Sequence, residues 1–159
     1  MKEKILSLEQ LATKSGQLRS TGKRVVATNG CFDILHVGHV RYLAAARKLG
    51  DMLVVGLNGD NSVRQLKGEG RPVNREQDRA EVLAALESVD YVTVFPELRA
   101  TNFLRAAQPS IYAKGGDYTA DTLDPEEGTV LAKFGTKIEI IPFEQGYSTS
   151  QLLTRIGKA

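Results

Sequence analysis

Five short apolar runs, separated by stretches of helical spacing, set the plan of this chain. They lie within Arg24–Gly30, Met52–Leu57, Tyr91–Phe95, Ser110–Ala113 and Lys137–Pro142. The second is apolar at nearly every position, as a parallel strand covered on both faces requires. Between the runs the period changes to that of a helix. Ser7 with Glu9 and Gln10 caps a first amphipathic helix carrying Leu8, Leu11, Ala12 and Leu18, which leads to the turn Ser20-Thr21-Gly22. Val40, Leu43 and Ala44 begin a helix running to Leu49, with Arg47 and Lys48 in its last turn and Gly50 as its stop. Asn61–Leu66 is a short helix. Arg75–Leu86 is a longer one, with Val82, Leu83, Leu86 and Val89 inward and Arg79 outward or toward a site. Thr101–Ala107 follows, ended by Pro109. Pro125 starts a helix to Phe134, and Ser148-Thr149-Ser150 caps a last one with Leu152, Leu153 and Ile156 inward.

This alternation predicts an α/β fold, a doubly wound parallel sheet of five strands. Such sheets bind ligands outside the carboxyl ends of their strands, where the winding reverses. A single domain over 1–159 is expected, with residues 1–22 packing on it.

Composition narrows the function classes. In 159 residues, 21 basic and 19 acidic side chains give a net charge of +2, too mild for a nucleic-acid surface. One cysteine, Cys31, rules out an internal disulfide, and with two histidines it makes a structural zinc site a poor expectation. No apolar run approaches a membrane span and Met1-Lys2-Glu3-Lys4 lacks a signal-peptide core, so a cytoplasmic protein without membrane partners is expected.

The chemistry concentrates after the first strand, in Asn29-Gly30-Cys31-Phe32-Asp33-Ile34-Leu35-His36-Val37-Gly38-His39. Both histidines of the chain fall in this stretch, spaced i, i+3, so at a helix start they share one face. Each offers a nitrogen donor and, if protonated, a charge. The first amides of a helix add donors and the positive end of its dipole, and Gly38 leaves room for an anion to approach. Asp33 either caps the turn or orients His36 or a metal-bound water; Cys31 reads as a packing residue. Farther along, Lys67 and Arg71 flank a glycine loop as solvated charges or phosphate contacts. Lys114-Gly115-Gly116-Asp117-Tyr118 follows the fourth strand with glycines that let backbone touch a ligand. Gly146-Tyr147-Ser148-Thr149-Ser150 starts the last helix.

Gly30 to His39 resembles the G-x-F-D-x-x-H-x-G-H signature of the cytidylyltransferase-like nucleotidyltransferases. Arg71-Pro72-Val73-Asn74 before Arg79, Ala84 to Val92, Lys114 to Tyr118 and Gly146 to Ser150 closely resemble the D-glycero-β-D-manno-heptose 1-phosphate adenylyltransferase branch, over nearly the whole chain. The resemblance implies a Rossmann-like fold, transfer of AMP from ATP to a sugar 1-phosphate, and Mg2+ held mainly by phosphate oxygens and water. It implies His36, His39, Lys114 and Arg79 as catalytic groups, with nucleotide contacts from Asn29 to Asp33, Gly38, Lys67, Gly115 to Asp117 and Gly146 to Ser150. A homo-oligomer is compatible with it, and the upstream sugar kinase is expected on a separate chain. Cytidylyltransferases of small polyol or amino-alcohol phosphates carry an Arg-Thr-rich lead into the final motif. Here that lead is Phe143-Glu144-Gln145-Gly146, so the charge is expected from Lys114. A cytidylyltransferase of that kind and a catalytically silent nucleotide-binding module are the competing readings.

Overall fold

The computed structural model describes residues 2–116, 118–119, 122–142 and 146–157. Strands β1 (Val25–Gly30), β2 (Met52–Asn58), β3 (Tyr91–Phe95), β4 (Ile111–Gly115) and β5 (Lys137–Ile141) form one parallel sheet in the order β3-β2-β1-β4-β5. Helices α1 (Leu8–Ser20), α2 (Val37–Arg47), α3 (Asp60–Lys67), α4 (Glu76–Ala84), α5 (Thr101–Ala107), α6 (Pro125–Lys133) and α7 (Thr149–Ile156) connect and cover it. The winding reverses between β1 and β4, the position at which a doubly wound sheet opens its ligand crevice. The fold is the five-stranded doubly wound sheet that the sequence pattern predicts, and it is Rossmann-like, as the resemblance implies. None of the described helices is long and apolar enough to cross a membrane.

Two apolar layers sandwich the sheet. On one face Leu43 and Ala46 of α2 and Ala80, Leu83 and Ala84 of α4 pack on Val26, Leu53, Val55 and Leu57. On the other, Leu11 of α1, Phe103, Leu104 and Ala107 of α5, and Val130 and Leu131 of α6 pack on Val25, Ala27, Val54 and Tyr112. Alternate residues of β1 therefore face different layers, as the period of a strand requires.

The helix starts follow local chemistry. Ser7 and Gln10 form a reciprocal capping box on α1. Asp124 accepts the amides of Glu126 and Glu127 ahead of Pro125 in α6. At the N-terminal end, the Leu6 amide donates to the Val92 carbonyl at 2.8 Å and Ile5 bridges Val92 in parallel, so this segment lines the outer edge of β3.

Three expectations are corrected. Helix α2 begins at Val37 rather than Val40, so Gly38 and His39 belong to its first turn. Val82 is 51% exposed, because Arg79, Ala80, Leu83 and Ala84 turn the buried side of α4 away from it. Ile156 is 66% exposed, and α7 buries none of its residues fully.

Candidate active site

The β1–α2 connection builds the centre of the site. Phe32 adopts a left-handed backbone (φ 42°) that aims its ring into the core and edge-on to His39, with centroids 5.3 Å apart. A Cβ at Gly30 would come within 3.0 Å of that ring. His36 takes the N-cap position of α2 with no side-chain hydrogen bond to the helix amides, leaving the first turn for another acceptor. The His36 and His39 rings stack with centroids 3.9 Å apart, as their i, i+3 spacing requires.

The surroundings of both imidazoles favour the neutral form. Burial lowers the pKa of His36, and burial together with the charge of His36 lowers that of His39 to about 4. Each Nδ1 is buried without a partner. A buried lone pair is less costly than a buried orphan N–H, so we assign the ring proton to Nε2, which makes each ring a donor on its opposite edge.

Helix α7 closes over this spot. A Cβ at Gly38 would come within 3.0 Å of His36 and of Tyr147 Cβ, so a side chain at position 38 would push the two segments apart. The Arg41 guanidinium lies 5.9 Å from the Tyr147 ring centre, Ser148 caps α7 by accepting the Gln151 amide, and the Thr149 hydroxyl reaches the Ile34 carbonyl at 3.4 Å. A cavity of about 190 Å3 opens between His36, Val37, Gly146, Tyr147, Ser148 and Gln151.

Lys114 stands across the crevice. It shares the side of β4 with Tyr112, which belongs to the α1/α5/α6 layer, whereas the histidines start a helix of the opposite layer. Its Nζ lies 3.3 Å from the Tyr112 hydroxyl and over the Tyr112 and Tyr118 rings, at 5.0 and 5.6 Å. The Tyr112 hydroxyl in turn donates to Asn29 Oδ1.

A third group has a different character. The Asp33 carboxylate accepts the amides of Val73 and Asn74 and the Arg71 Nε, while Asn74 donates back to the Asp33 carbonyl. Burial alone would raise the Asp33 pKa, but the Asn74 and Val73 amides and Arg71 outweigh it and hold the carboxyl below its ordinary value. Asp33 is therefore neither a cap of its own turn nor an orienter of His36, and Arg71 is not a solvated loop charge. They fasten the 71–74 loop to the motif.

Arg79, only 2% exposed, donates to the carbonyls of Asn74, Cys31 and Asn58 and to Asp60 Oδ1, at 2.6 to 3.0 Å. With four of five N–H donors so engaged, its guanidinium ties three loops together and is not presented to a ligand. Burial raises the Cys31 thiol pKa despite the nearby Lys67, Arg79 and Arg71, in keeping with a packing residue.

The remaining positions are less central. Lys67 ends α3 exposed and Ser150 is exposed on α7, away from the lining of the His36 cavity. Asp117 and the lead Phe143-Glu144-Gln145 lie outside the described residues. Sequence reasoning gives no role to Tyr42 or Tyr112, and names Asn74 only within the motif Arg71-Pro72-Val73-Asn74. A phenol inside the run Ser110–Ala113 was the available signal for Tyr112, since a buried hydroxyl needs a partner.

Among the described residues no three His, Cys, Asp or Glu side chains gather to hold a metal. The donors around the crevice are imidazoles, amides and a lysine, which suit phosphate oxygens. A divalent ion fits here when carried on those oxygens.

The profile of the Cytidylyltransferase-like family matches residues 27–155. The chain is 47% identical over 156 residues to Bifunctional protein HldE of Geobacter sulfurreducens, covering 98% of this chain and 31% of that protein. To Bifunctional protein HldE of Wolinella succinogenes it is 48% identical over 154 residues, 97% of this chain and 31% of the relative. It thus spans about a third of the length of these curated relatives.

Among solved structures, the lipopolysaccharide core biosynthesis protein from Thermoplasma volcanium GSS1 superposes with a TM-score of 0.64 at 30% identity, covering 80% of this chain and 100% of that one. Pantoate-beta-alanine ligase from Francisella tularensis, at 15% identity and a TM-score of 0.57 over 89% of this chain and 67% of its own, shares the fold alone. The chain belongs to the cytidylyltransferase-like family of nucleotidyltransferases.

Proposed function

We propose that this chain transfers AMP from ATP to D-glycero-β-D-manno-heptose 1-phosphate, giving ADP-heptose and pyrophosphate. The observation that carries this reading is the likeness to HldE over 98% of the chain, and the paired imidazoles at the open α2 start accord with it. A sugar kinase is proposed to act upstream of the acceptor, and the longer relatives, each named a bifunctional protein, leave room for a second activity outside the third of their length that this chain matches.

In the reaction an oxygen of the sugar 1-phosphate attacks the α-phosphorus of ATP, the bond from that phosphorus to the β-bridging oxygen breaks, and pyrophosphate leaves with the electron pair. The nucleophile is already an anion, so no general base is required. The protein's work is to hold two polyanions in line and to offset the charge that develops on the transferring and leaving groups. Neutral His36 and His39 donate Nε2–H groups without the cost of burying two like charges side by side. The first amides of α2 add the positive end of a helix dipole, and those of α7, behind Ser148, add a second. Lys114 brings a full positive charge from the far side of the crevice. Magnesium bound to the phosphates would lower their mutual repulsion, and no protein ligand set is needed to hold it.

The test is pyrophosphate release with ATP and CTP, each with and without heptose 1-phosphate. Release from ATP that depends on the sugar is the expected result. Preference for CTP, or release indifferent to the acceptor, overturns the reading.

A further inference from the structure

Strands β1 and β4 separate where the crevice opens. Their ladder registers only Val26 with Ile111 and Ala27 with Tyr112, whereas β1 pairs with β2 at six positions and β4 with β5 at five. Beyond Ala27 and Tyr112, among the described residues, no ladder pairing registers the strand that launches the histidine loop against the strand that carries Lys114. Two phenols span that gap, one on each face of the sheet.

On the α2 face, the Tyr42 hydroxyl donates to the Ala113 carbonyl at 3.0 Å. Its single proton is thereby assigned, so the 2.8 Å contact with Thr28 has the Thr28 hydroxyl donating to Tyr42. Tyr42 thus joins β1 to β4 and is itself part of the helix that carries His39. On the opposite face Tyr112, fully buried, donates from β4 to Asn29 of β1 and lies within hydrogen-bond distance of Lys114 Nζ.

We propose that Tyr42 and Tyr112 are positioning residues, a pair of struts that set the width of the crevice and so the separation of the two histidines from Lys114. This rests on the adenylyl-transfer reading for its kinetic consequence, though not for its structural one. A strut acts on the alignment of the two substrates more than on the grip of either alone, because misplacement by a fraction of an ångström costs rate before it costs affinity. Each phenol bridges strands through hydrogen bonds that a phenylalanine cannot make, while the ring itself would remain.

The experiment uses Tyr42→Phe, Tyr112→Phe and the double variant, each read in three ways. Amide hydrogen exchange, with no substrate present, should quicken at Thr28–Gly30 and Ala113–Gly115 while amides of β2 and β3 keep wild-type protection. Binding of a non-hydrolysable ATP analogue should weaken by less than threefold. The kcat for ADP-heptose formation should fall about tenfold for each single variant and at least fiftyfold for the pair, without a matching rise in KM for ATP.

Unchanged exchange at the two strand ends, or a double variant with wild-type kcat, overturns the proposal. So does a uniform rise in exchange across the sheet, which would mark a merely structural role. An inactive wild-type protein would instead overturn the adenylyl-transfer reading, and the exchange data would still decide whether the struts exist.

Discussion

Two clusters border the crevice, and they treat their polar atoms in opposite ways. Around Asp33, Arg71 and Arg79 the charged groups are engaged with carbonyls, amides and one another. Around His36 and His39 the rings stack with both Nδ1 atoms unpartnered and no side chain caps the α2 start. Both clusters contain residues that a sequence motif would mark as functional. The difference separates groups that hold the site together from groups held in readiness for a ligand.

The contrast can be broken by removing one member of each cluster. His39→Ala should lower turnover about a thousandfold, the upper range for loss of one donor to a developing anion, with a melting temperature within a few degrees of wild type. Steady-state kinetics alongside thermal unfolding checks both halves, and retained turnover would remove His39 from the machinery.

Arg79→Met should do the reverse at the level of folding. Three carbonyls and Asp60 lose their donor, so stability should fall by roughly 3–5 kcal/mol, the range for breaking a buried ionic network. Urea unfolding measures it. A variant as stable as wild type would mean that the guanidinium is not the tie described above.

A pH titration of stability sharpens the comparison further. His39 has a folded pKa of about 4 against an ordinary 6.5, so the unfolded chain takes up the proton first. The stability associated with the neutral ring is complete above about pH 6.5 and is lost as pH falls toward 4. At about 1.4 kcal/mol per pKa unit, and allowing for partial exposure, the loss is roughly 2–3 kcal/mol. The loss should be smaller in His39→Ala, where of the stacked pair only His36 still titrates, as unfolding at pH 7 and pH 4.5 would reveal. Asp33 adds an acid loss at lower pH still, since its depressed pKa means that it stays ionised until below its ordinary value. The smallest effect belongs to Ile156→Ser, expected within about 0.5 kcal/mol because that side chain lies mostly in solvent.

The sheet was legible in the sequence because strand-length apolar runs alternating with helical spacing leave few topologies. The histidine pair was legible because its spacing, its glycine and the strand before it agree on one geometry. What stayed hidden was where long polar side chains would go. Arg79 sits at a position that its neighbours leave open on a helical wheel, and only tertiary structure brings three loop carbonyls to it. Asp33 reads as a local cap because its partners, Val73 and Asn74, lie some forty residues away. The start of α2 was misplaced for a related reason: His36 occupies the N-cap without the side-chain bond that makes caps recognisable. Tyr42 and Tyr112 look like ordinary core aromatics until the shortness of the β1–β4 ladder is known.

The pairing of Ile5 and Leu6 with Val92 has a consequence for the molecule in a crowded solution. An uncovered outer strand is a template onto which a stranger's backbone can add, and β3, with its alternating apolar side chains, would be a good one. The chain's own first residues take that place. The sheet's other border, β5, carries the paired charges of Lys137 and Glu139, side chains of the kind that discourage the same approach. Protection against edge-to-edge association is thus built from covalent continuity on one flank and from charge on the other, so salt should weaken only the second.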